Sequence, residues 1–227
     1  MPRAPLALAL VATAAAMSCV KVCHHKTCSK NGLAKRTLDI AQVIGGPDAA
    51  VATAECQNSC ATGTVSVAGP AGRVYDVEGA KAVTLAAVLE IELDVVASDA
   101  AIDACDALAA TEAAQKRGDR EVARETLRAL LADAAALAAA PRIEALAAVR
   151  LFDLLAGEDA QREALEPVLI RSAAHDTAAT WRLAASRGAR GDCDGQGEVL
   201  IALAKREPAA AEAALEVIEG CVVPYAK

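Results

Sequence analysis

Aromatic residues are nearly missing from this 227-residue chain, which has one tryptophan, one phenylalanine and two tyrosines. So few large rings leave no single core built on big anchors. Excess basic charge is missing too. Thirty acidic residues stand against 23 Lys and Arg, for a net charge of −7 and a pI near 5.1. That balance argues against nucleic acid, which asks for a basic surface to neutralise phosphates. It suits a soluble protein with a basic partner, as it suits many ordinary acidic proteins. Catalytic signatures are lacking as well: there is no HExxH, no P-loop, no GxGxxG and no Ser-His-Asp set among only three histidines. Gly45-Gly46-Pro47 follows a helical run rather than opening one, so it reads as a turn and not a phosphate cradle. The expectation is a protein with no small-molecule substrate and no catalytic activity of its own.

Alanine and cysteine are what is there. The chain is 55% hydrophobic with only 2% aromatic, and alanine carries the excess. Alanine is the best helix former and the smallest core side chain, which predicts many closely packed helices. Of the eight cysteines, four fall in two close pairs. Cys23 and Cys28 form C-x4-C, a connector of 27 residues follows, and Cys56 and Cys60 form C-x3-C. Four thiolates in two pairs can hold a [2Fe–2S] cluster, two sulfurs on each iron. Each pair must reach one iron from a short loop, and a strand before each pair (CVKVC and AAVATAEC) would deliver both to one edge of a sheet. Thiol–disulfide exchange would want C-x-x-C at a helix N-terminus, and neither spacing fits. A secreted chain of this cysteine count would pair them as disulfides, but a long alanine-rich helical half is unlike a small disulfide scaffold. Metal ligation is therefore the reading for Cys23, Cys28, Cys56 and Cys60. Cys19, Cys105, Cys193 and Cys221 read as isolated small apolar residues.

Taken in order, residues 1–18 look like a targeting leader. One basic residue precedes an apolar run, Leu6 to Ala16, that is shorter than the ~20 residues a bilayer-spanning helix needs. No membrane span is expected in the mature protein, which would start near Cys19. The leader suits a plastid or other organelle. Initiation at Met17 would give MSCVKVC with no leader, and a cytoplasmic protein. Simple secretion is disfavoured, because a chain exported unfolded loses access to cluster assembly.

Residues 19–97 read as one α/β domain in the order β-α-β-β-β-α. The spacing of Leu33, Leu38, Ile40, Ala41 and Ile44 predicts an amphipathic helix stopped by Gly45-Gly46-Pro47. TVSVAG and RVYDV are β-rich runs joined by Gly69-Pro70-Ala71-Gly72, a hairpin signal. KAVTLAAVLEIELDVV leads into a helix and carries apolar residues at Val83, Leu85, Val88, Leu89, Leu93 and Val96. His24 and His25 lie in the first ligand loop. A histidine can replace a thiolate on iron, but with four cysteines at ligand spacing a solvent-facing loop is the simpler reading. Lys26, Asn58 and Ser59 are candidates for hydrogen bonds near the cluster.

These residues resemble the thioredoxin-like [2Fe–2S] ferredoxins, the group that includes the small cluster-bearing subunit of NADH dehydrogenase. The resemblance lies in Val20-Lys21-Val22-Cys23 with Cys28, Cys56-x3-Cys60, Gly63, the strand TVSVAG, and GRVYDVEG leading into a helix. It covers roughly residues 19–95. The sequence departs from the family pattern at Gln57-Asn58-Ser59 between the second pair, and at Thr64, where Gly-Pro is common. The resemblance implies a thioredoxin-like fold, a [2Fe–2S] cluster on the four cysteines, single-electron transport and a redox partner protein.

From residue 98 to 227 strand signals vanish and an all-α helical-hairpin domain is expected. Seven helices are anticipated, among them one unbroken from Asp119 to Ala140 and one over 158–174 kinked near Pro167. Gly118-Asp119 reads as turn and cap, and Gly157 and Gly191 recur 39 and 34 residues later. That spacing is weakly similar to tetratricopeptide repeats of 34 residues. Such an array offers a concave surface for a partner, or merely buries its own faces; both readings stay open. Trp181 and Phe152 read as core anchors, His175 as a capping or solvated residue. Arg182, Arg187, Arg190, Lys205 and Arg206 form a basic edge, solvated by default, with an acidic partner as the other reading. The composite expectation is an electron carrier whose helical domain docks a partner. The competing one is a non-redox interaction module that has lost its cluster.

Overall fold

A computed structural model describes residues 19–25, 28, 32–46, 49–56 and 64–221. The architecture is mixed: a four-stranded sheet near the N-terminus, then helices only. The strands are β1 (Val20–Cys23), β2 (Val51–Ala54), β3 (Thr64–Ala68) and β4 (Val74–Glu78), in the order β2-β1-β3-β4. β1 and β2 run parallel, joined through α1 (Leu33–Gly45), because a parallel pair requires a crossover of that length. β3 lies antiparallel to both β1 and β4.

Valine makes one face of this sheet. Val22 pairs with Val67 and Val65 with Val77, and with Val20 all five are fully buried. β-branched side chains suit a pleated, packed surface. α1 packs on β1, β2 and β3, and α2 (Ala82–Leu93) on β1, β4 and α1. The β3–β4 hairpin turns where its glycines put it: Gly72 is left-handed with φ 81°, and Gly69 N–H donates to Arg73 O at 2.8 Å. A Cβ on Gly69 would fall 1.9 Å from Glu92 Oε2. Only glycine therefore lets α2 lay that carboxylate over the turn, where it accepts from Tyr75 Oη at 2.5 Å.

Within α2 only part of the apolar set faces the core. Leu85, Val88 and Leu89 are buried, but Val83 is 60% exposed and Val96 77% exposed. Val83 stands about 200° around the helix from Leu85. Val96 lies beyond the helix, which stops at the left-handed Asp94 (φ 57°).

The remaining helices are α3 (Asp99–Arg117), α4 (Arg120–Ala132), α5 (Ala134–Ala139), α6 (Pro141–Leu154), α7 (Asp159–Ala164), α8 (Glu166–Ala173), α9 (Thr177–Ala189), α10 (Cys193–Arg206) and α11 (Ala211–Cys221), the last preceded by a 3-10 turn at Pro208–Ala210. The chain divides into two compact units, residues up to 109 with 138–141, and residues 110–137 with those from 142 onward. In the second unit α8 packs on α9, α9 on α10 and α10 on α11. Gly118, Gly157 and Gly191 all adopt positive φ, 86°, 84° and 77°, each closing a helix as its recurrence in the sequence suggests.

Two long helices anticipated from periodicity are broken. Asp133 interrupts the run 119–140, because its Oδ1 accepts from Ala135 and Ala136 N–H at 3.0 Å and so starts α5 as an N-cap. The run 158–174 divides into α7 and α8 at Leu165, with Pro167 in the first turn of α8, where its missing N–H costs nothing. Asp119 holds the cap position but makes no side-chain cap; its carboxylate takes Arg117 Nε at 3.1 Å instead. No helix among the described residues is long and apolar enough to cross a membrane.

Candidate metal centre

Three of the four patterned cysteines, Cys23, Cys28 and Cys56, lie among the described residues. Cys23 is the last residue of β1 and is buried. The parallel register sets Cys23 beside Ala54, and His24 N–H extends the ladder to Ala54 O at 2.9 Å. Cys56 follows two residues later, partly exposed. Neighbouring strands lie about 4.8 Å apart, so the chain leaves β1 and β2 toward the ligand loops at nearly the same point. Antiparallel β3 begins at this end with Thr64, which pairs with Glu78. Cys60 itself lies outside the described residues, as do Lys26, Asn58, Ser59 and the segment 1–18 for which a leader was expected.

Cys28 returns to the protein from the first loop. Its side chain is buried, 2% exposed, and its carbonyl accepts from Ala34 N–H at 3.0 Å in the first turn of α1. Gly32, left-handed at φ 72°, turns the chain into that helix. Cys23 and Cys28 are buried, and Cys56 is partly exposed. Cysteine sulfur is the donor an iron–sulfur cluster takes, so these residues fit in kind. Among the described residues no three His, Cys, Asp or Glu side chains stand together as a site for one metal ion. A two-iron cluster asks for pairs of thiolates instead. His24 and His25 are both exposed, in keeping with a solvent-facing loop.

The backbone is tight at the same end. Gly79 and Ala80 follow β4 with φ of 63° and 56°, and Ala80 is 2% exposed. A buried alanine in the left-handed region is uncommon and costs about 1 kcal/mol or more. The tyrosine–carboxylate contact of Tyr75 and Glu92 braces the opposite end of the sheet, toward Gly69. Nothing in the linear sequence pairs those two residues, 17 positions apart.

The basic edge expected over the last third is largely occupied from within. Arg182 makes two bonds to Asp153, 2.9 and 2.8 Å. Arg187 reaches Glu166 Oε1 at 3.1 Å, and Arg190 reaches Glu163 at 3.1 Å and Glu166 Oε2 at 2.5 Å. Arg206 donates to Ala173 O at 2.5 Å, capping the end of α8. Burial would raise the Glu166 carboxyl, but the hydrogen bonds from Arg190 and Arg187 hold it below its ordinary value. Phe152 is buried under the Arg162 guanidinium, 4.4 Å from its ring centre. Trp181 is partly buried against Ala184, Leu200, Leu203 and Ala214. His175 leaves the capping of α9 to Asp176, which accepts from Ala179 N–H at 2.7 Å. Cys193 is disulfide-bonded rather than an isolated apolar residue.

No family model, no curated protein and no solved structure matches this chain.

Proposed function

We propose that the sheet unit is a [2Fe–2S] electron carrier, with Cys23 and Cys28 on one iron and Cys56 and Cys60 on the other. One observation carries the reading: the parallel β1–β2 register ends both cysteine-bearing strands at the same edge, with Cys23 opposite Ala54. When bound, such a cluster accepts and returns single electrons, at a potential set by hydrogen bonds to its sulfurs and by solvent exposure. The chain's own residues supply the rest. Buried Cys23 and Cys28 shield one side from water, and Cys56 faces outward where a redox partner would approach. The helical unit is the partner-docking element of this reading. It has little free basic surface, because Arg182, Arg187 and Arg190 are engaged with its own carboxylates, so the docking surface is not a simple acid-binding edge.

The test is the visible spectrum of anaerobically prepared protein and of the single variants Cys23→Ala, Cys28→Ala, Cys56→Ala and Cys60→Ala. Charge-transfer bands that bleach on reduction, and that disappear in each variant, are the expected result. Protein that stays colourless after chemical reconstitution, yet is folded, would favour the interaction module without a cluster.

A further inference from the structure

A cavity of about 160 Å³ lies among α6, α7 and α9, wholly within the helical unit. Phe152, Ala185 and Ala189 give it an apolar lining, and Arg162, Ser186 and Arg190 bring hydrogen-bond donors. Its volume is well below the ~300–1,000 Å³ of a pocket for a drug-sized molecule. It suits one side chain rather than a whole small molecule.

The two arginines differ. Arg190 is neutralised from within the unit, by Glu163 at 3.1 Å and Glu166 at 2.5 Å. Arg162 has no carboxylate partner among the described residues. Its Nε donates to Phe152 O at 3.1 Å, and its guanidinium lies over the Phe152 ring, 4.4 Å from the ring centre. Those contacts fix the guanidinium and leave its two terminal amino groups to an outside acceptor. A planar fork already held in place loses little freedom on binding, and it matches a carboxylate through two parallel hydrogen bonds. Ser186 adds a hydroxyl from a residue only 6% exposed, and among the described residues that hydroxyl takes part in no hydrogen bond. A buried polar group ordinarily has a partner. Asp159 and Glu163 also line the cavity. Glu163 is spent on Arg190, and Asp159 is exposed, where water weakens its repulsion of an incoming anion.

We propose that this cavity receives one acidic side chain of a partner protein. The carboxylate lies on Arg162 and Ser186, and its methylenes lie against Phe152, Ala185 and Ala189. The inference rests on the partner-docking role given to the helical unit and names what that unit recognises: an acid taken into a cavity, not along the arginine edge.

The test is an NMR titration of the full ¹⁵N-labelled chain, following arginine Nε–H signals. The probes are the peptide acetyl-Ala-Ala-Glu-Ala-Ala-amide and its neutral glutamine counterpart. The Arg162 signal should shift and saturate with the glutamate peptide and stay still with the glutamine one. Arg162→Gln should weaken binding, read from the remaining backbone shifts, at least tenfold, the effect of losing a charge-assisted hydrogen bond. That variant also loses its contacts with Phe152, so two others leave the stack intact. Ser186→Ala should weaken binding about two- to tenfold. Asp159→Asn should tighten it by up to about fivefold. Equal shifts with both peptides, no saturating shift with either, or unchanged binding in folded Arg162→Gln would overturn the pocket. Sodium acetate binding as tightly as the glutamate peptide would make it a free-anion site and overturn the side-chain assignment. A silent titration removes this pocket alone, because the electron-carrier reading is judged by iron and sulfide, which the arginine signals do not report.

Discussion

The sheet unit is held by valine packed between paired strands and two covering helices. The helical unit is held by alanine-spaced helices tied through arginine. In the first, Val20, Val22, Val65, Val67 and Val77 are all removed from water, and β1 ends at Cys23 opposite Ala54 of β2. In the second, alanines such as Ala123, Ala145, Ala147 and Ala148 set the helix spacing. Long Arg side chains then bridge helices: Arg150 to Glu112 at 2.7 Å, Arg171 to Glu144 at 2.6 Å, Arg182 to Asp153 at 2.8 Å. A small side chain buries little area, so each helix gains less from packing. The bridges add orientation more than energy, since partly exposed pairs contribute about 0.2–1 kcal/mol each.

That difference can be broken most sharply in the cores. Leu203→Ala and Leu89→Ala each remove a side chain with no exposure. Each should cost about 2–5 kcal/mol. Leu203→Ala should fall near the upper end, because its cluster holds only Leu200 as another large fully buried side chain. Urea unfolding followed by circular dichroism measures both, and a loss below about 1 kcal/mol at Leu203 would contradict the packing described for α10.

Gly69→Ala probes the sheet unit without touching its core. The new Cβ meets the Glu92 carboxylate and forces it off Tyr75, leaving a short hydrogen bond unmade. Losing a hydrogen bond to a charged group costs about 1.5–3 kcal/mol. Gly69→Ala with Glu92→Ala should recover part of that loss, and a double-mutant cycle in the same unfolding assay reports the coupling.

Acid sharpens the comparison with a smaller effect. Glu166 is held below its ordinary value in the folded chain by Arg190 and Arg187, against the opposing effect of burial. Its contribution is therefore complete above the unfolded carboxylate's value, about pH 4.3, and fades as pH falls through the lower folded value. Glu166→Gln should flatten the acid limb of the helical unit's stability, read by Trp181 emission between about pH 5 and 3. An acid limb identical to that of the unmutated protein would contradict this assignment.

Much of the fold was legible from local pattern. The 2-residue period and the Gly69–Gly72 turn marked β3 and β4, and α1 ends where Gly45 and Gly46 stand. The positive-φ glycines at 118, 157 and 191 announced helix ends because few other residues enter that region. The strand before Cys23 was legible as well, and β1 ends at that residue. What stayed hidden depends on pairings between distant helices. Asp153 with Arg182, Glu144 with Arg171, and Glu92 with Tyr75 lie 29, 27 and 17 residues apart. No periodicity encodes such a partner. Asp133 was hidden for a local reason: inside an alanine run a helix-interior and a capping aspartate look alike until its carboxylate finds Ala135 and Ala136.

The central claim is that one edge of the sheet holds a two-iron cluster on Cys23, Cys28, Cys56 and Cys60. Iron and acid-labile sulfide analysis of the full chain, purified anaerobically, tests it most directly. The account predicts about two irons and two sulfides per chain, as a [2Fe–2S] centre requires. Folded protein with neither, before and after reconstitution, would contradict it.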